Sequence, residues 1–256
     1  MAFFIAVLCL PGTVACSGEQ QRLNMPPIGD AEYHWIAARI FENETNAQTK
    51  YLTYWGAGED FPSLGIGHFI WFPEDVDAPF DETFPAMLDY VSERSRDCVA
   101  LPDWLQQAPV PDAPWSDKAT FDAAQDSERV ASLRDWLART APAQAQFIVA
   151  SFKRRWNELE LESGDKGELT ALLKALLDTP AGLFAVIDYY NFKGLGSNPR
   201  ERYAGEGWGL VQVLGDIAAS TSIDAPLVEQ FSAAAAHRLQ LRVANAPPER
   251  NEAACC

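Results

Sequence analysis

Residues 39–72 read RIFENETNAQTKYLTYWGAGEDFPSLGIGHFIWF, and the fold turns on the change of character inside them. The opening part belongs to a helix. Tyr33, Ala37, Ile40 and Glu44 recur at spacings of four, three and four, so they share one face of a helix predicted from Ala31 to about Glu44, with Asp30 as its N-cap. From Tyr51 onward aromatics, Thr and Gly take over, and His68-Phe69-Ile70-Trp71-Phe72 before Pro73 reads as a strand. A helix that runs into a small β element opens an α+β fold.

Further along, helical periodicity dominates, over about 83–95, 116–138, 142–162, 167–178, 180–190, 207–219 and 225–245. Asp224 with Pro226 starts the last of these and Pro247-Pro248 stops it. The Pro- and Asp-rich stretch 99–115 (VALPDWLQQAPVPDAPW) reads as a loop or a seam. The expectation is an α+β, predominantly α-helical domain over residues 29–256, with a small β-hairpin lobe near the N-terminus and no internal repeats.

The chain ahead of that domain has another purpose. Residues 1–18 carry no charged side chain, and Ala2 to Leu10 form an apolar run that Pro11-Gly12 break before small residues. That is the layout of a secretory signal, and the run is too short to span a bilayer. Thr13-Val14-Ala15-Cys16 resembles a bacterial lipobox, which implies cleavage after residue 15 and a lipid on Cys16. Polar, Pro-containing residues 16–28 then serve as a tether. The expected address is the periplasm or cell surface, with the protein held to a membrane through this N-terminal lipid.

Charge and motif content exclude several function classes. The net charge of −16 argues against a nucleic-acid partner, which needs concentrated positive charge. The basic run Lys153-Arg154-Arg155 is followed by Glu158, Glu160 and Glu162, as on a solvated helix face. His34, His68 and His237 are scattered, Cys98 and the Cys255-Cys256 pair show no metal-ligand spacing, and no HExxH, GxSxG or P-loop is present. Neither a metal nor another cofactor is expected.

The chemistry centres on Glu44. As the last residue of an apolar stripe it should be partly desolvated, and desolvation raises a carboxyl pKa. An acid that stays protonated near neutral pH is what glycosidic cleavage needs for its leaving oxygen. Glu42 lies on another face beside Ala38 and Arg39 and reads as a paired surface residue. The plainer alternative is that Glu44 only closes the helix, with Asn46 as its cap.

Glu44, the acidic pair Glu59-Asp60, Ser63 and then Gly65-Ile66-Gly67-His68 follow one another in an order that resembles the lysozyme-like superfamily, particularly the phage-type muramidases. There a catalytic Glu near a helix end precedes a β-hairpin bearing a second acid and a Thr-x-Gly-Ile-Gly-His segment; Ser63 stands here in the Thr position. The wider block is also similar to a family of exported bacterial proteins. The resemblance implies a lysozyme-like fold acting on peptidoglycan or a related β-linked amino-sugar polymer. Glu44 would be the general acid, Glu59 or Asp60 would activate water or stabilise the oxocarbenium-like transition state, and Ser63 and His68 would adjoin the substrate. Carboxyls about 6.5–9.5 Å apart favour inversion and about 5–5.5 Å retention; if neither acid approaches Glu44, a lytic-transglycosylase route with one acid/base is left.

A second block comprises DYYNFKG (188–194), RERY (200–203) and GEGWGLVQV (205–213). GWGLVQV is similar to the GLMQ segment of goose-type lysozymes and lytic transglycosylases, and DYYNFKG to their Tyr-Asn-Gly stretch, in reversed order. Tyr189, Asn191, Lys193, Trp208 and Gln212 supply the amides and aromatic faces of a sugar groove, with helix capping and core packing as the alternative. Two rival functions stay open: a non-catalytic, glycan-binding envelope lipoprotein, and amidase chemistry involving His68. Oligomeric state is not legible.

Overall fold

The first helix, α1 (Asp30–Thr45), starts at Gly29 rather than Asp30, because the Glu32 carboxylate accepts the Gly29 N–H at 2.7 Å and closes the N-terminal turn. Asp30 thereby becomes part of the acidic first turn, where it suits the helix dipole. This computed structural model describes residues 22–248 except 79, 162 and 221–224. The signal, Cys16, Asp224 and Cys255-Cys256 therefore lie outside the described residues. Leu23 is fully buried and its N–H donates to Asn157 at 2.7 Å, so the segment expected as a tether is already docked on the domain from Leu23 onward.

After α1 the chain turns through Asn46 in the left-handed region and a 3-10 turn at Thr49–Leu52. It then forms β1 (Thr53–Tyr54), β2 (Ser63–Leu64) and β3 (Phe69–Ile70), antiparallel and in that spatial order. Thr53 faces Leu64, and Ser63 faces Ile70. The strand expected over 68–72 shrinks to two residues for a stereochemical reason. His68 has φ of +48°, which no strand residue adopts, and Phe72 gives its N–H to Glu82 and its carbonyl to Ala113 instead of a ladder.

Helices α2 (Phe84–Ser95), α3 (Lys118–Ala123), α4 (Glu128–Arg139) and α5 (Ala141–Glu158) follow. The single helix expected over 116–138 is two, each with its own cap: Asp117 accepts from Thr120 N–H and Ser127 from Val130 N–H. Arg134 holds the break by donating to both the carbonyl and the side-chain oxygen of Gln125. Helix α5 stops at Glu158 because the Lys166 ammonium takes the carbonyls of Trp156 and Leu159, satisfying acceptors at its C-terminal end.

Helix α5 is the hub. Its buried side chains Ala145, Ile148, Phe152 and Trp156 pack among α1, α2 and α7 (Pro180–Lys193). Helix α7 joins α6 (Ser163–Leu177), α8 (Leu210–Ala219) and α9 (Leu227–Asn245) in a second group of packed helices. Segment 99–115 lies against the sheet lobe: Leu105, Ala113 and Trp115 are buried, and Trp71 Nε1 donates to the Pro111 carbonyl at 2.9 Å. The architecture of the described residues is α+β, mostly helical, with a small antiparallel sheet.

Candidate active site

Three elements converge on Glu44: the end of α1 that carries it, the turn between β2 and β3, and the last turns of α7. The turn is held rigidly. Gly65 N–H donates to the Leu52 carbonyl at 2.8 Å, and Ile66 N–H to Gln144 Oε1 at 2.9 Å. Gln144, fully buried on α5, is itself fixed by donating to the Leu137 carbonyl at 2.7 Å and to Thr140 Oγ1 at 3.0 Å. Gly65 needs its φ of +72°, and a Cβ there would lie 2.4 Å from Gln144 Oε1. At Gly67 a Cβ would lie 2.8 Å from Asn191 Oδ1, so the missing side chain lets α7 close on the turn.

His68 Nδ1 consequently lies 3.4 Å from Glu44 Oε2, while Asn191 Nδ2 donates to Glu44 Oε1 at 3.3 Å. Burial pushes the Glu44 carboxyl up to about 7, and the negative charge of Asp188 adds to this; the Asn191 amide and Lys193 pull the other way. Burial lowers the His68 pKa and keeps its ring neutral. Neutral imidazole offers at Nδ1 a lone pair or an N–H according to tautomer, so it can partner either form of the acid. Burial raises Asp188 as well, offset by Asn43, whose amide reaches both its oxygens at 3.1 and 3.2 Å.

His68 and Asn191, the two side chains that meet the Glu44 carboxyl, also wall a cleft. An inner cavity of about 160 Å³ is walled by His68, Phe69, Tyr190 and Asn191, and an outer one of about 270 Å³ by Phe80, Phe192, Lys193, Trp208 and Arg242. Ile70, Thr83, Arg155 and Gly194 line both, so the two are adjacent. Exposed Tyr54 stacks on the His68 ring, with centroids 6.3 Å apart.

Of the residues anticipated from sequence, Glu44, His68, Asn191 and Lys193 come together here. Ser63 is buried in β2. Tyr189 is buried and donates to the Trp208 carbonyl at 2.7 Å, fastening α7 to the segment before α8. Trp208 lines the outer cavity, whereas the Gln212 amide is committed to capping α8, accepting from Gly209 N–H and donating to the Gly196 carbonyl. Glu59 and Asp60 line a different cleft with Asp75, Asp77 and Asp117. Among the described residues, no hydrogen bond or charge interaction joins either to Glu44.

Glu42 pairs with Arg39 on the surface as expected. The basic run does not lie wholly on a solvated face: Arg154 pairs with exposed Glu158, but Arg155 turns into the cleft and pairs with Asp81. Asn43, Asp188, Gln144 and Arg155 are site residues that sequence reasoning passed over. A usable signal existed for Asp188, which shares a helix face with Asn191 at a spacing of three. Among the described residues no cluster of three or more His, Cys, Asp or Glu could hold a metal, and no helix is long and apolar enough to cross a membrane. Compared with known proteins, the chain matches no family model, no curated protein and no solved structure.

Proposed function

We propose that the protein cleaves a β-linked amino-sugar glycan of the cell envelope, peptidoglycan or a close relative, with Glu44 as its general acid. The observation that carries this reading is a carboxyl pushed up to about 7 and met by His68 and Asn191, two side chains that wall a polar and aromatic cleft. Such a group is substantially protonated at neutral pH and can deliver its proton to a leaving glycosidic oxygen. Once ionised, Glu44 is stabilised by the Asn191 amide and by Lys193, and it can then act as the base. The lysozyme-like character of the fold, export by residues 1–15 and lipid anchoring at Cys16 belong to the same proposal. Export would bring the domain to the glycan.

The placement of Glu59 and Asp60 on another cleft favours the route in which one carboxyl serves as both acid and base, as in lytic transglycosylation. The substrate's own hydroxyl then closes on the anomeric carbon and gives its proton to Glu44. The carboxylate whose charge Glu44 feels is Asp188, and it supplies negative potential for the oxocarbenium-like transition state.

The test is Glu44→Gln on purified sacculi. Loss of a positioned general acid should lower product release by about 10²–10⁴-fold. Undiminished release removes Glu44 from the mechanism. Mass spectrometry of the products separates anhydro ends from reducing ends, and peptide loss in place of glycan cleavage would turn the reading to amidase action.

A further inference from the structure

The two ring nitrogens of His68 have unequal surroundings. The residue sits at φ of +48°, in the left-handed region, and the anchors of Gly65 to Leu52 and of Ile66 to Gln144 hold its turn there. Nδ1 lies 3.4 Å from Glu44 Oε2. Nε2 is buried and meets no hydrogen-bonding group among the described residues. Tyr54 stacks on the ring.

This inequality decides where a neutral imidazole keeps its single proton. On the backbone, orphaned buried N–H groups are rarer than under-satisfied acceptors. The same cost places the imidazole proton on Nδ1, where a carboxylate oxygen receives it, and leaves a bare lone pair at Nε2. Burial lowers the His68 pKa, so a second proton at Nε2 is disfavoured as well. The charged groups of the neighbouring helices have other engagements. Asp188 and Lys193 on α7 act on Glu44, and Arg155 on α5 is paired with Asp81.

Asn191 Nδ2 donates to the other oxygen, Oε1, at 3.3 Å. Glu44 thus has one donor aimed at each oxygen, an arrangement that suits the carboxylate better than the acid. When the proton passes to the leaving glycosidic oxygen, the Glu44 O–H bond breaks and its electron pair stays on the carboxylate. Preorganised donors count most where charge develops, and catalytic contacts of this length tighten as it does. We infer that His68 is a positioning residue: its Nδ1–H and the Asn191 amide grip the two oxygens of Glu44 and hold the carboxylate left once the proton has gone. This rests on the reading of Glu44 as the general acid and deepens it, giving His68 a role that needs no contact with the glycan.

The experiment uses the full chain, whose three histidines keep the spectra simple. At pH 8 Glu44, pushed up to about 7, is mostly ionised. Long-range ¹H–¹⁵N correlations there should show the His68 proton on Nδ1; a proton on Nε2 overturns the proposal. Two variants address the same point. Asn puts its Nδ2 where Nδ1 stands and tolerates the left-handed backbone, whereas Gln puts its Nε2 at the far nitrogen. His68→Gln should lower kcat by about 10–100-fold with KM little changed, since a hydrogen bond to a charged group is lost, and His68→Asn should recover most of it. Followed by ¹³C titration, the Glu44 carboxyl should titrate higher in His68→Gln than in wild type, because a donor to the carboxylate is gone. A downward shift would mean that the variant merely admits water, and it overturns the role. If His68→Gln does not fold, the wild-type tautomer still decides. A wild-type protein that releases nothing from sacculi overturns the glycan reading alone, because tautomer and titration need no turnover.

Discussion

Nδ1 of His68 lies 3.4 Å from Oε2 of Glu44, joining a ring that burial keeps neutral to a carboxyl that burial keeps protonated up to about pH 7. The two residues come from a turn and a helix end, and neither is shifted by its own sequence neighbours. Both shifts follow from closing α7 over the turn, which takes both groups out of water.

The first prediction concerns the pH dependence of cleavage. Glu44 must carry its proton to act as an acid, so activity should fall as pH rises through about 7. His68 has its pKa below the ordinary 6.5, so its protonation, which would put a cation beside the acid, should matter only on the acidic limb. Rates of muropeptide release between pH 4 and 9 check this. A rate still rising above pH 8 would exclude Glu44 as the acid.

The same carboxyl makes a stability prediction with the opposite benefit. Its pKa rises from 4.5 to about 7 on folding, so the folded state binds more protons than the unfolded chain between those values. Stability from this group is full below pH 4.5 and is lost as pH rises through 7. The side chain is only 16% exposed, and the loss amounts to about 3 kcal/mol. Glu44→Gln cannot ionise and escapes it. Urea denaturation should find the variant close to wild type at pH 4 and more stable by about 3 kcal/mol at pH 8. Equal stabilities at pH 8 would mean that the carboxylate is not desolvated.

Glu59 and Asp60 provide a negative control drawn from the geometry. They line another cleft, and Glu59 is engaged with the Gly56 N–H. Glu59→Gln and Asp60→Asn should each leave muropeptide release within about threefold of wild type, since surface changes away from a site have small effects. A loss comparable with that of Glu44→Gln would bring them back into the mechanism.

The legible part of this site was its local part. An apolar stripe ending in Glu44 and the Gly-Ile-Gly-His turn are patterns within one stretch of chain, and the structure sets them side by side. Asn43 and Asp188 are 145 positions apart, and their meeting depends on how α1 and α7 pack, which no periodicity encodes. Arg155 was hidden by its acidic followers, because charge patterning does not tell which side of α5 borders a cleft. The break between α3 and α4 escaped for a related reason: Arg134 reaching back to Gln125 competes with helix continuation. Likewise the left-handed His68 cut the strand short where composition alone favoured continuing it.

Gln144 gives the last prediction, and it separates positioning from mere packing. Its amide joins Ile66 N–H to the Leu137 carbonyl and Thr140 hydroxyl, tying the turn that carries His68 to α5. Gln144→Met fills similar volume but leaves buried polar groups unpaired, at a cost of about 1–3 kcal/mol each. A general loss of stability would not by itself implicate the turn. If the clamp sets the distance from His68 to Glu44, kcat should fall by about 10²-fold with KM little changed, as expected for a displacement near 1 Å. The basic limb of the pH profile should also move below 7, because a loosened turn admits water to Glu44. The cost of His68→Ala should shrink in the Gln144→Met background, since residues acting through one another are not additive. Additive losses with an unmoved pH limb would confine Gln144 to holding the core together.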